Sequence, residues 1–119
     1  MFGVPIGDKI KGILGSINQT FDGNDLYSSI EEKAAHLLYF VIKDHPFADG
    51  NKRIGSMLFL YYLQKNNFLY RTSGEKKIND NAIVALALLI AASNPREKDN
   101  LVKLVINSRL ILYQIEQIC

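Results

Sequence analysis

The chain has 119 residues, of which 48% are hydrophobic, and its 14 basic and 12 acidic residues give a formal net charge of +2. This length predicts a single domain over residues 1–119, large enough to bury its own hydrophobic core. The near balance of charges gives no reason to expect nucleic-acid binding, which usually needs a clustered basic face.

Cysteine content and hydropathy exclude two further classes of protein. The one cysteine, Cys119, is the last residue and cannot link two parts of the fold, which fits a reducing compartment and a cytoplasmic location. The first residues have no basic segment followed by a long apolar run, so no signal peptide is predicted. The longest apolar run, residues 82–92, is too short to span a bilayer and predicts a buried helix without membrane association.

The N-terminal part of the chain predicts one helix and one turn. Residues 8–21 carry apolar side chains at helical spacing, although two glycines among them lower the helix propensity. The residues that follow, "DGND" at 22–25, are typical of a turn, and their neighbours could form a short hairpin.

Two long helices are predicted on either side of a polar loop. Ser29 and Glu32 form a capping box at the start of the first, which is predicted over residues 29–43. His36 within it is predicted to be a packing or surface histidine, since two histidines and a terminal cysteine do not make a zinc site. The second helix begins near Asn51 and ends near residues 64–67.

The C-terminal part predicts two more helices after a connecting loop at residues 68–79. Asp80 is a candidate cap for a helix that continues through Ala92. The stretch "NPRE" at 94–97 offers an Asn cap and a Pro at the first helical position, so a last helix is predicted from about Arg96 to Gln114. The predicted fold is an all-α bundle of about five helices with one short β-hairpin.

The loop between the two long helices, "DHPFADGNKRIG" at 44–55, carries more chemistry than a turn needs. Gly50 and Asn51 lie where a helix begins, so backbone N–H groups and the positive end of the helix dipole are available to an anion. Arg53 can donate two hydrogen bonds to a phosphate, and Lys52 adds a second cation. These four residues are therefore candidate phosphate ligands.

Three other residues of the loop complete the predicted site. Asp49 beside these cations predicts a bound Mg²⁺, which typically takes one carboxylate together with phosphate oxygens and water. His45 can accept a proton near pH 7. Phe47 is predicted to anchor the loop to the core. The combination matches a transferase that deprotonates an attacking hydroxyl beside a nucleoside triphosphate, and the chain has no P-loop motif.

The stretch "HPFADGNKR" at 45–53 resembles the signature of the Fic/Doc family, usually written H-P-F-x-D/E-G-N-G/K-R, at eight defined positions. The family places this loop between two central helices, with a turn-rich flap upstream that corresponds here to residues 18–27. The resemblance covers about residues 8–115 and implies a Fic-like helical bundle. Many members of the family have helices before the point where this chain starts, so the resemblance implies that either an N-terminal portion or a separate partner is absent from it.

The resemblance implies a role for each motif residue. His45 would be the general base for a Ser, Thr or Tyr hydroxyl on a target protein, Asp49 would coordinate Mg²⁺, and Arg53 would bind a phosphate of the substrate ATP. The Gly-Asn pair and the amides after it would form the anion hole. The flap at 18–27 would pair with the target protein as an added strand. An antitoxin or an N-terminal regulatory segment would be a further partner.

Three departures from the family pattern leave the transferred group open. Lys52 stands where many adenylylating members have Gly; it is typical of the Doc branch, which binds the nucleotide in reverse and transfers the γ-phosphate. Ser56 stands where many members have a second Arg. Gly50 stands where Doc-like members tend to have Ala. We narrowly favour AMP transfer, with phosphate transfer as the alternative and an inactive toxin–antitoxin or regulatory binding module as the second.

Overall fold

The computed structural model describes residues 7–68 and 80–118, with side chains as far as residue 108. Within these ranges, five α-helices and one two-stranded hairpin confirm the predicted all-α class. The helices are α1 (Lys9–Ile17), α2 (Ile30–Asp44), α3 (Asn51–Lys65), α4 (Asp80–Ala92) and α5 (Lys98–Ile118), and the strands are β1 (Thr20–Phe21) and β2 (Asn24–Asp25).

The first helix is shorter than predicted, because the chain turns into the hairpin before residue 21. Asn18 ends α1, and its side-chain amide donates a hydrogen bond to the Leu14 carbonyl at 3.1 Å. Phe21, predicted as part of the helix, instead lies in β1 and is 78% exposed. The predicted hairpin is confirmed: Asp22 and Gly23 have φ values of 57° and 82°, and positive φ at both central residues is what a type I′ turn requires.

α2 begins where the capping signal predicts. The Ser29 hydroxyl accepts a hydrogen bond from the Glu32 backbone N–H at 3.0 Å, which satisfies one of the unpaired donors of the first turn. The Glu32 carboxylate in turn accepts a hydrogen bond from the Ser28 hydroxyl at 3.4 Å.

α2 is the central helix, and it packs against each of the other four. One side faces α1 and α3 through Leu37 and Val41, and the other faces α3, α4 and α5 through residues such as Leu38. α3 approaches α2 closely at Gly55, where an added Cβ would lie 3.3 Å from a Val41 side-chain carbon. This close packing fixes the relative position of the two helices that flank the motif loop.

α4 has the predicted range but is not a buried helix. One face is buried, whereas Val84, Leu88 and Leu89 on the other are 56%, 55% and 51% exposed. Among the residues that the structure describes, α4 packs against α2, α3 and α5 only, so a sequence that is apolar all round has one side that these helices do not cover. The buried residues of this helix are Ile83, Leu86, Ala87 and Ile90.

The last helix starts as predicted, with a 3₁₀ turn at Pro95–Glu97 before α5. The Asn94 side-chain oxygen accepts a hydrogen bond from the Arg96 N–H at 3.0 Å. α5 extends to Ile118, beyond the predicted end at residue 114. Apart from residue 68, the predicted connecting loop at 68–79 lies outside the described residues. In the described part of the chain, no helix is both long and apolar enough to cross a membrane.

Candidate active site

The motif loop is held between two residues with left-handed backbone conformations. His45 ends α2 with φ 50° and ψ 60°, and Gly50 precedes α3 with φ 78° and ψ 19°. Glycine adopts this conformation without a steric penalty, whereas a residue with a Cβ pays roughly 1–2 kcal/mol. This conformation is uncommon for residues other than glycine, although histidine adopts it more often than most, and it recurs at functional sites.

The Asn51 side chain closes the loop from inside. Its oxygen accepts a hydrogen bond from the Phe47 N–H at 3.1 Å, and its amide nitrogen donates to the Phe47 carbonyl at 2.9 Å. The same amide nitrogen lies 3.3 Å from His45 Nδ1. Because Asn51 is 8% exposed, these bonds form away from most of the solvent and determine the shape of the loop.

Two apolar residues of the loop turn towards the protein to different extents. Pro46 is almost completely buried, whereas the Phe47 side chain is half-buried. Phe47 contributes both of its backbone hydrogen-bonding groups to the Asn51 side chain. The loop is thus attached to the protein through the buried proline ring and through the backbone of residue 47.

Asp49 presents an exposed carboxylate at the tip of the loop. Its Oδ1 accepts a hydrogen bond from the Gly50 N–H at 2.8 Å, which orients the group immediately before the first turn of α3. No cluster of three or more His, Cys, Asp or Glu that could hold a metal occurs among the described residues. A single carboxylate fits Mg²⁺, which is usually held by one or two carboxylates together with substrate phosphates and water.

A cavity of about 700 Å³ opens beside the loop, within the usual size range of small-molecule sites. It brings together all but one of the predicted site residues; Phe47 is not among the residues that line it. The predicted residues that line the cavity are His45, Asp49, Gly50, Asn51, Lys52 and Arg53.

Two parts of the cavity are not predicted from the sequence. Lys43, in the last turn of α2, lines it and donates a hydrogen bond to the Ser93 carbonyl at 2.7 Å, which joins the ends of α2 and α4. The exposed face of α4 supplies an apolar wall that includes Val84 and Leu88. The sequence signal for this wall is the all-round apolar pattern of α4, which predicts a buried helix, whereas the structure leaves Val84 and Leu88 exposed.

The other histidine has a different environment. His36 is 7% exposed, and its ring stacks on Tyr27 with ring centroids 3.7 Å apart. Burial lowers the pKa of His36, and it raises that of Tyr27. His36 Nδ1 lies 2.8 Å from the Glu32 carbonyl oxygen. This confirms a packing histidine, as predicted.

The hairpin is separate from the cavity lining. β1 and β2 are exposed, and the lining residues come from the end of α2, the motif loop, α3 and α4. Lys33 forms a 3.0 Å ion pair with Asp25, which joins the hairpin to α2. The predicted contact of residues 18–27 with a target protein therefore stays a prediction.

Comparison with known proteins identifies one family. The family model described as Fic/DOC family matches residues 6–63, which include α1, the hairpin, α2, the motif loop and most of α3. No curated protein and no solved structure matches the chain with significance. The family match confirms the resemblance predicted from the sequence: residues 6–63 of this chain are similar to the Fic/DOC family.

Proposed function

We propose that the chain is a Fic-type transferase that moves AMP from ATP to a Ser, Thr or Tyr hydroxyl of a target protein. The observation that carries this proposal is the cavity itself. It collects a histidine, a carboxylate, three cations and the N-terminal end of α3 next to an apolar wall. A nucleotide has the matching parts, since its phosphates are anionic and its base is largely apolar.

The phosphate end would lie at the start of α3. Lys52 and Arg53 are exposed residues of the first helical turn, and both line the cavity. The first N–H groups of a helix have no intrahelical acceptor, and the helix dipole adds partial positive charge. Gly50 allows an anion to approach the backbone closely because it has no side chain. These features together favour binding of the α- and β-phosphates of a nucleotide.

The base would lie against α4. Val84, Leu88 and Ala91 of α4 line the cavity together with the motif loop. Val84 and Leu88 are more than half exposed, and covering such carbons stabilises a complex by about 25 cal/mol per Å² of buried apolar area. The nucleotide base would therefore cover the exposed apolar face of α4.

Asp49 would hold a Mg²⁺ ion through the carboxylate that faces the cavity. When bound, the ion would neutralise charge on the phosphates and on the leaving group. Lys43 and Lys52 would add positive charge at the same end of the cavity. Asp49 itself would keep its hydrogen bond to the Gly50 N–H, which orients the carboxylate in advance.

His45 would be the general base. The oxygen of the target hydroxyl attacks the α-phosphorus, its proton passes to the imidazole of His45, and the bond between the α-phosphorus and the bridging oxygen breaks. The products are an AMP-modified target and pyrophosphate. If the nucleotide is bound in reverse, the same attack falls on the γ-phosphorus, and the products are a phosphorylated target and ADP.

Three residues bear on this choice, one immediately before α3 and two within it. Gly50 favours AMP transfer, because it leaves the anion site open to a diphosphate. Lys52 and Ser56 favour phosphate transfer by the family pattern. Ser56 lines the cavity and uses its hydroxyl to donate a hydrogen bond to the Lys52 carbonyl at 2.8 Å.

The test is incubation of the protein with Mg²⁺, a cell lysate and ATP labelled at either the α- or the γ-phosphate. AMP transfer labels a target protein from α-labelled ATP only, and phosphate transfer labels it from γ-labelled ATP only. The matched control is the His45→Ala protein, which should lack the band that the wild-type protein adds to the labelling by the lysate's own kinases. ATP binding without transfer in any lysate fraction would contradict the enzyme proposal and favour the inactive binding module.

A further inference from the structure

The orientation of the Asn51 amide is set by its two bonds to Phe47. The Phe47 N–H can only donate, so the side-chain atom 3.1 Å from it is the Asn51 oxygen. The Phe47 carbonyl can only accept, so the atom 2.9 Å from it is the Asn51 nitrogen. Turning the amide over would place two donors together and two acceptors together, and both bonds would be lost.

A donor therefore faces the His45 ring. The Asn51 amide nitrogen carries two hydrogens, one of which goes to the Phe47 carbonyl. The other points towards His45 Nδ1, which lies 3.3 Å away. To accept this hydrogen bond, Nδ1 must present its lone pair, and the hydrogen of the neutral ring is then on Nε2.

We infer that Asn51 is a positioning residue, whose side-chain amide holds neutral His45 in the tautomer with hydrogen on Nε2. The inference deepens the proposed function and depends on it for its catalytic consequence. In this resting arrangement, Nε2 already carries hydrogen and cannot accept the proton of a target hydroxyl. His45 becomes a base at Nε2 only when the Asn51 bond breaks and the ring hydrogen is on Nδ1.

The length of the Asn51–His45 contact favours a rearrangement in which this contact breaks and the loop keeps its shape. The Asn51–His45 contact, at 3.3 Å, is the longest of the three that Asn51 makes and lies beyond the usual range of about 2.7–3.2 Å. The bonds to Phe47 are shorter and can persist while the imidazole turns. Asn51 thus holds the loop through its two shorter bonds to Phe47 and holds the His45 ring through a longer, weaker one.

His36 provides an internal comparison, because its hydrogen-bond partner has the opposite character. His36 Nδ1 lies 2.8 Å from the Glu32 carbonyl, an atom that can only accept. The hydrogen of neutral His36 is therefore on Nδ1. The chain has two histidines, and the structure assigns them opposite tautomers.

Long-range ¹H–¹⁵N NMR of the ¹⁵N-labelled protein tests this assignment without nucleotide or target. At a pH where both rings are neutral, the ¹⁵N shifts of His45 should show a larger share of the Nε2–H form in the native protein than in the urea-unfolded chain. The His36→Phe variant identifies which ring signals belong to His45. Equal shares in native and unfolded protein, or a native ring with hydrogen mainly on Nδ1, would overturn the inference.

The decisive variant is Asn51→Asp, whose carboxylate accepts hydrogen bonds where the amide donated one. We expect the His45 tautomer to invert, with hydrogen on Nδ1. Asn66→Ala is the matched control, because it removes a similar amide bond, 2.8 Å to the Tyr62 carbonyl, at the other end of α3. It should leave the His45 shifts unchanged. A folded Asn51→Asp protein with the wild-type tautomer would refute the role of Asn51.

If the Asn51→Asp protein does not fold, the comparison of native and urea-unfolded wild-type protein still decides the matter. The result is also independent of the transferase proposal. A fixed Nε2–H tautomer in a protein that transfers nothing would support the positioning role and contradict the proposed function. Transfer activity in a protein whose His45 has the same tautomer shares as the unfolded chain would support the proposed function and contradict the positioning role of Asn51.

Discussion

The middle of α2 and its C-terminal cap place a histidine in opposite environments. His36, in the middle of the helix, is buried under Tyr27 and bonded to the backbone of its own helix. His45, at the C-terminal end, is exposed, has a left-handed backbone and contacts a side chain from α3. The difference shows that a histidine here is structural when its partners are local, and available for chemistry when the loop presents it to the cavity.

The largest expected effect is the loss of transfer activity on substitution of His45. His45→Ala should lower transfer by about 10²–10⁴-fold, the usual contribution of a positioned general base. The free energy of unfolding should change by less than about 1 kcal/mol, because the side chain is exposed. Labelled transfer and urea unfolding measure the two quantities. Wild-type transfer by this variant would show that His45 is not the base.

His36→Ala should show the opposite pattern. Loss of a buried ring and its stacking on Tyr27 should destabilise the fold by about 1–3 kcal/mol. Transfer by the protein that remains folded should be close to wild type, since His36 is not among the residues that line the cavity. Urea unfolding gives the first value, and activity per folded molecule gives the second. Unchanged stability would mean that the stack contributes nothing.

Two aspartates allow a similar comparison: Asp49 lines the cavity, and Asp25 lies in the hairpin away from it. Asp49→Ala should weaken Mg²⁺-dependent ATP binding by at least about tenfold, or about 1.4 kcal/mol, and metal-free binding by less. Asp25→Ala is the control, because Asp25 forms an exposed ion pair with Lys33 in the hairpin. Calorimetric titration with and without Mg²⁺ measures both affinities. Equal losses with and without metal would rule Asp49 out as the Mg²⁺ residue.

Lys52 tests what sets the orientation of the nucleotide. Lys52→Gly should raise the ratio of α-label to γ-label transferred by a few fold, because the added charge at the anion site is removed. Adding Ser56→Arg should raise it further, since residue 56 lines the cavity. Lys65→Gly, at the far end of α3, is the control for the loss of helix propensity. An unchanged ratio would place the determinant of orientation elsewhere.

The smallest expected effect is the pH dependence of stability that His36 contributes. Its pKa is lowered mainly by burial, and Lys98 acts in the same direction, whereas Glu32, through its carbonyl and its charge, and Asp99 oppose the shift. Tyr27 stacks on the same ring. The unfolded chain binds the proton more readily than the native one, so stability falls as pH drops below the ordinary histidine pKa of about 6.5.

His36→Phe keeps an aromatic ring but cannot titrate, so it should flatten this part of the profile. Urea unfolding between about pH 5 and pH 8 would reveal the difference. A slope that persists in His36→Phe would assign the pH dependence to other groups.

Much of the fold follows from local sequence. The Ser29 cap, the Asp-Gly turn and the Asn94 cap all lie where their side-chain chemistry predicts, because each acts within three residues of itself. The motif likewise places the candidate site at the α2–α3 loop. The end of α1 was missed, since Phe21 continues the helical spacing but joins the hairpin instead.

The sequence by itself determined most of the helices and which loop holds the candidate site, since capping, turn geometry and apolar periodicity act over a few positions. Only the tertiary structure decided what surrounds that loop. α4 could not be assigned a cavity-facing side, because it is apolar all round and its neighbours choose the buried face. The link from Asn51 to His45 forms only when packing of α2 against α3, close at Gly55, brings the two ends of the loop together.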